Sequence, residues 1–166
     1  GTIPAANLHT TARALARFYA LLGGTLHAES LNTPFNVDGM DVLPLMSPQR
    51  LQHAVTCSRG EHRRVSFFMQ GEASQHFGLG YQVYSPGVTP SASANTPAVA
   101  SIGAGLPAQG AAFGHSGFGG SIGLYDANKQ LAVGVTVNWL TTGKAATKAV
   151  LELLHNELGL VRIPTF

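Results

Sequence analysis

The stretch from Ala111 to Asn138 constrains the fold more than any other part of this sequence. Ala111 to His115 reads as a strand, and a glycine-rich bend follows at Gly117, Gly119 and Gly120. Ser121-Ile-Gly-Leu-Tyr125 reads as a second strand, and Gln130 to Asn138, rich in valine and threonine, as a third. Between them Asp126-Ala-Asn-Lys129 supplies turn chemistry, since Asp and Asn side chains bond their own backbone in tight turns. β-Branched residues fit a pleated surface. Links this short make the three strands antiparallel neighbours, because a parallel crossover needs a dozen residues or more.

Helices are expected on both sides of this region. One fits residues 10–22, capped by Thr10 or Thr11, with Leu15, Phe18, Tyr19 and Leu22 on one face and Gly23-Gly24 as its stop. Ser47-Pro48 opens a second, short helix that would bury Leu51, Ala54 and Val55. A last helix would be capped by Thr141 or Thr142, carry Val150, Leu151, Leu154 and Leu158 on its apolar face, and end at Gly159. Phe77 to Tyr84 alternates large with small or polar side chains, as a half-buried strand does. Residues 85–110 hold prolines, serines and alanines but no charge, which reads as a long loop or insertion. The predicted fold is α/β (α+β), an antiparallel sheet flanked by helices.

A chain of 166 residues with 45% apolar content can bury one sizeable core. Its charged content is 11%, against roughly 25% in ordinary soluble domains. The formal charge of +2 is too small to imply a nucleic-acid or anionic-membrane partner. Arg59, His62, Arg63 and Arg64 cluster, and a solvated loop accounts for them. Cys57 is the only cysteine, so no internal disulfide forms and the compartment stays undetermined. The longest largely apolar run, Leu131 to Leu140, falls well short of the ~20 residues of a membrane-spanning helix. No signal peptide is visible, and the opening Gly-Thr-Ile-Pro reads as the start of a processed or excised piece.

Several motifs compete for the chemistry. Gly119-Gly-Ser-Ile-Gly123 has the G-x-S-x-G form of a nucleophile elbow, which requires a helix after the turn, and here a strand is expected instead. The glycines 114, 117, 119, 120 and 123 resemble a phosphate-cradling loop, yet neither a following helix nor a later acidic partner is in place. The histidines show no metal-ligand spacing, so neither a metal nor another cofactor is expected. His115 stands apart because it ends an apolar strand ahead of Ser116 and Gly117. On these residues alone the default reading is a core histidine with satisfied nitrogens.

Phe113-Gly-His-Ser-Gly-Phe-Gly-Gly-Ser-Ile-Gly-Leu-Tyr-Asp126, followed by Leu131-Ala-Val-Gly-Val-Thr-Val-Asn138, resembles the final strands of the serine β-lactamase-like family. That family includes class C β-lactamases, related esterases and D-amino acid peptidases. Its third motif is Lys-Thr-Gly, or His-Ser/Thr/Gly-Gly in the esterase-like branch, and His115-Ser116-Gly117 is similar to the latter. Ile3-Pro-Ala-Ala-Asn7 with Thr11-Ala-Arg-Ala-Leu-Ala-Arg-Phe-Tyr-Ala20 resembles a helix of the family, and Ser47-Pro48 and Phe77-Gly-Leu-Gly-Tyr81 follow in the family's order. Apart from residues 85–110 the likeness spans nearly the whole chain.

The resemblance implies that His115 donates to the nucleophile network or to a substrate carboxylate, while the small Ser116 and Gly117 let substrate lie along the strand. It also implies that the backbone N–H of Phe118 is one of two oxyanion donors. The family's nucleophile motif, Ser-x-x-Lys, is absent, and Thr141-x-x-Lys144 is the nearest sequence to it. Tyr-x-Asn is absent as well, because Tyr125 and Asn128 are wrongly spaced. The chain is therefore expected to be the C-terminal half of a β-lactamase/transpeptidase-like fold, inert alone. Its expected partner is the N-terminal half or another subunit, which would cover the sheet face opposite the last helix and the strand edge near Gln130–Asn138 or His115–Phe118. The expected substrate is a small ester or amide. Two other readings remain: a non-catalytic scaffolding member of the same family, and an unrelated binding module that uses the glycine-rich strand edge.

Overall fold

The structure, a computed structural model, describes residues 8–56, 76–84, 112–117, 119–139 and 144–163. Phe118, Cys57, the basic cluster at 59–64, the 85–110 segment and Thr141–Thr142 lie outside the described residues. In chain order the elements are helix α1 (Ala12–His27), strands β1 (Phe35–Val37) and β2 (Met40–Val42), helix α2 (Pro48–Val55), strands β3 (His76–Phe77), β4 (Gln82–Tyr84), β5 (Ala112–Ser116), β6 (Ile122–Asp126) and β7 (Leu131–Val135), and helix α3 (Ala145–Leu158). Strands β3 to β7 form one antiparallel sheet in sequence order, and β1 and β2 form a separate hairpin. The mixed fold and the three consecutive antiparallel strands are those expected.

Thr11 caps α1 by accepting from the Ala14 N–H at 3.1 Å. The helix does not stop at Gly23-Gly24 but runs on to His27. Both glycines serve packing rather than termination, since a Cβ on Gly23 would overlap the Tyr125 ring and one on Gly24 the Phe35 ring. Phe18, expected on the buried face, is 46% exposed. The second helix begins as predicted, with Ser47 capping and Pro48 in its first turn, and it buries Leu51 and Val55.

Phe77 to Tyr84 is not one strand. Gly80 adopts φ +88°, a left-handed conformation that side chains disfavour, and the chain turns there between β3 and β4. The Leu79 N–H donates to the Ala54 carbonyl at 2.7 Å, which pins this turn to the end of α2. The β1–β2 hairpin was not anticipated. Asp38 and Gly39, at φ 53° and 82°, form its two-residue turn, and an Asp-Gly pair between short apolar segments is the signal that marks such hairpins. Arg13 and Arg17, one turn apart on α1, both bind the Asp38 carboxylate, at 2.8 and 2.7 Å, and hold its carboxyl below the usual range.

Helix α3 begins at Ala145, with Lys144 in its left-handed N-cap and no side-chain cap. Gly159 ends it as predicted, at φ 67°. Its inward face differs from the expected one, with Thr147 and Leu151 buried but Val150 and Leu158 exposed. The Thr147 hydroxyl donates to the Gly120 carbonyl at 2.6 Å, so a buried hydrogen bond turns this polar residue inward.

Alternation along the strands builds one core on each face of the sheet. On one face Tyr19, Leu22 and Leu26 of α1 and Leu51 and Val55 of α2 pack on Phe113 and Tyr125. On the other, Ile122, Leu124 and Val133 meet Leu151 of α3 with Leu160 and Ile163. The face opposite the last helix is therefore covered by the chain's own helices, against the expectation that it would await a partner. Glycine makes this possible: a Cβ on Gly123 would overlap the Tyr19 ring, and one on Gly134 the Ala12 carbonyl. Asp126, 1% exposed, closes the β6–β7 turn by accepting from the N–H groups of Asn128 and Lys129, both at 3.0 Å. Its second oxygen accepts from the Val161 N–H at 2.8 Å.

Two outcomes follow from this packing. Gly134→Ala forces a methyl against helix backbone, which has little room to yield, and should lower stability by about 1–3 kcal/mol. A fall in the urea midpoint with an unchanged slope checks it. Burial pushes the Tyr19 and Tyr125 phenols up to about 12, above their ordinary 10.0. Their neutral forms favour the folded state, so this stability is complete below pH 10 and is lost as pH rises through 12. Thermal unfolding measured across that range should show the decline, and its midpoint should fall less steeply in Tyr19→Phe.

Candidate active site

Strand β5 carries the expected triplet at its C-terminal end. His115 is exposed, and Ser116 and Gly117 are half-buried. His115 shares a sheet face with Phe113, whose ring packs edge-on against Tyr81 at 5.6 Å and tilted against Tyr19 at 6.4 Å. The histidine is thus not the core residue that its apolar strand allowed. It stands in solvent just past an aromatic cluster that fixes the strand beneath it.

The two sides of this strand end are unlike. Toward β6, His115 pairs with Gly123 and Ser116 with Ile122, and the Gly117 N–H donates to the Ser121 carbonyl at 2.7 Å. Toward β4 the ladder stops at the Gln82–Gly114 pair, because the chain turns away at Gly80. Ser116 and Gly117 therefore extend beyond their neighbour on that side. Gly120 adopts φ 102° and its N–H donates to the Gly117 carbonyl at 3.1 Å, which turns the chain back into β6.

Two residues that the sequence reading passed over sit behind the triplet. Gln82, 5% exposed, accepts the Ser116 N–H at 2.8 Å through its side-chain oxygen. The Tyr84 hydroxyl donates to the same oxygen at 2.6 Å and is also hydrogen-bonded to the Ser116 side chain. Burial, with the nearby Tyr19, pushes the Tyr84 phenol up, so it remains a protonated donor. Reading Phe77–Tyr84 as a single strand hid this pair. A polar Gln82 and a large Tyr84 on the same side of a short strand were the available signal.

Other candidates fall away on geometry. Ser121 precedes a strand rather than a helix, and its hydroxyl oxygen accepts the Val137 N–H at 3.1 Å, so it sits on no nucleophile elbow. The glycines around it likewise lead into β6 and not into a helix N-terminus. Among the described residues, no three His, Cys, Asp or Glu side chains group as metal ligands. No helix among them is long and apolar enough to cross a membrane. A groove of about 810 Å³ lies between α1 and the β1–β2 hairpin, and its lining includes Arg17, Phe35 and Tyr125 but none of His115, Ser116 and Gly117.

Searches of curated proteins and of solved structures returned no match. Comparison with protein families matched residues 1–157 to Beta-lactamase, nearly the full chain, and includes the triplet strand and both sheet-covering helices. The chain belongs to the Beta-lactamase family and carries its serine hydrolase-like fold.

Proposed function

We propose that this chain supplies the third-motif wall of a serine hydrolase that cleaves a small ester or amide through an acyl-enzyme. The 166 residues would be the C-terminal portion of a single β-lactamase-like domain, with 85–110 as a long loop or insertion. The nucleophile and its base would come from an N-terminal half or another subunit, because no Ser-x-x-Lys occurs in this sequence. The observation that carries the reading is the exposed His115 with small residues after it, on a strand end that overhangs β4.

Each residue has a role in this reading. His115 donates to the nucleophile's hydrogen-bond network or to a substrate carboxylate. Ser116 and Gly117 keep the strand edge slim enough for substrate to approach. The Phe118 N–H is one of two oxyanion donors, a kind of contact worth about 2.7–4 kcal/mol in the transition state. Neither a cofactor nor a nucleic-acid partner enters the reaction.

A fluorophosphonate or penicillin probe, followed by intact-mass spectrometry, tests the division of labour. The isolated chain should remain unlabelled, and a protein that joins it to its nucleophile-bearing half should acquire one adduct in that half. In the joined protein His115→Ala should lower kcat/KM by about 10²-fold or more. An adduct on any serine of the isolated chain would refute the proposal. A joined protein whose Ser-x-x-Lys and Tyr-x-Asn have eroded would favour a scaffolding role.

A further inference from the structure

The overhang of β5 beyond β4 has a specific occupant. In an antiparallel ladder, successive residues direct their N–H groups to opposite neighbours. Gly117 donates toward β6, so the Ser116 N–H points to the side that β4 has vacated. A bare strand end of this kind is a template for an added strand, which would offer a carbonyl to that N–H. Here the carbonyl is already present, as the side-chain oxygen of Gln82 at 2.8 Å.

We propose that Gln82 determines how long a substrate this edge accepts: its amide takes the place of the first carbonyl of an extended peptide, so the site receives compact acyl groups and rejects strand-like ligands. The inference rests on the hydrolase reading above. Gln82 cannot swing aside freely, because it is buried and its oxygen also holds the Tyr84 hydroxyl at 2.6 Å. Displacing it would take the acceptor from the Ser116 N–H and one of two contacts from the Tyr84 O–H. On either side of Ser116, His115 is exposed and Gly117 has no side chain, which leaves room for a short acyl group at the strand end.

The test is an NMR titration of the ¹⁵N-labelled 166-residue chain with two unreactive ligands, an N-acetylated amino-acid amide and a blocked tetrapeptide. In the unaltered chain the Ser116 amide should exchange slowly, and the compact amide alone should shift the His115–Gly117 resonances. Gln82→Met, close in length but without the acceptor, should speed Ser116 exchange and tighten tetrapeptide binding, each by about tenfold or more. Gln82→Glu keeps an acceptor oxygen and should behave as the unaltered chain. Should Gln82→Met fail to fold, Tyr84→Phe removes one of the contacts that hold Gln82 and should speed Ser116 exchange by about threefold or more. Equal tetrapeptide binding by the unaltered and Gln82→Met chains, or unchanged Ser116 exchange in the variants that lose a contact, overturns the role of Gln82 and leaves the hydrolase reading intact. If neither ligand shifts residues 115–117 in any of these proteins, the strand end takes neither class of ligand and the inference fails, while the labelling of the joined protein decides the hydrolase reading separately.

Discussion

The contact on which the rest depends is the seating of α1 directly on the sheet. Gly123 and Gly134 leave bare backbone where side chains would otherwise hold the helix away, and Tyr19 and the Ala12 carbonyl occupy that space. On the helix, Gly23 does the same for the Tyr125 ring. Packing at this separation tolerates little change in volume, since protein interiors are as dense as organic crystals. It buries Tyr19, Leu22 and Leu26 against Phe113 and Tyr125, and it places Arg13 and Arg17 where they reach the β1–β2 turn. The ion pairs are exposed and contribute little by themselves. Their geometry is a consequence of the helix position, and the buried rings provide the stabilisation.

The site inherits its order from that layer. Phe113 lies two residues before His115 and is clamped by Tyr19 from the helix and Tyr81 from the β3–β4 turn. Below the sheet, Leu124 and Ile122 pack toward α3, so both faces of the strand that neighbours the triplet are fixed. A rigid strand with a solvent-facing terminal residue combines precision with access, which a mobile loop would not provide. The buried Gln82–Tyr84 pair extends this order to the side where, among the described residues, the β4 ladder stops short of Ser116.

Much of this was legible in the residues, and the failures have physical causes. β5, β6 and β7 announced themselves because apolar residues alternate with glycine or small ones between short, turn-rich links that admit one connection. His115, Ser116 and Gly117 were singled out through family likeness alone, and the structure adds that they lie at the end of β5 and that the histidine is exposed. Gly23-Gly24 misled because local propensity makes glycine a helix stop, whereas here the tertiary demand for close approach prevails. Tyr84 and Gln82 were hidden for another reason: their place on one side of a short strand was readable, but their partner lies on a strand 34 residues away. The hairpin at Asp38-Gly39 was readable from its turn pair and was overlooked among short, weakly alternating segments.

Asp126 has a mechanical consequence. Its carboxylate ties the β6–β7 turn to Val161, 35 residues later, so the segment after α3 is fastened to the turn between β6 and the outer strand β7. Tension applied to the end of α3 would therefore travel to that turn before it reached the outer strand β7. Five register pairs join the two arms of that hairpin and would carry the load between them. A force drawn through the C-terminal segment thus meets the sheet at its outermost hairpin, and β5 with its exposed histidine lies one strand beyond that load path.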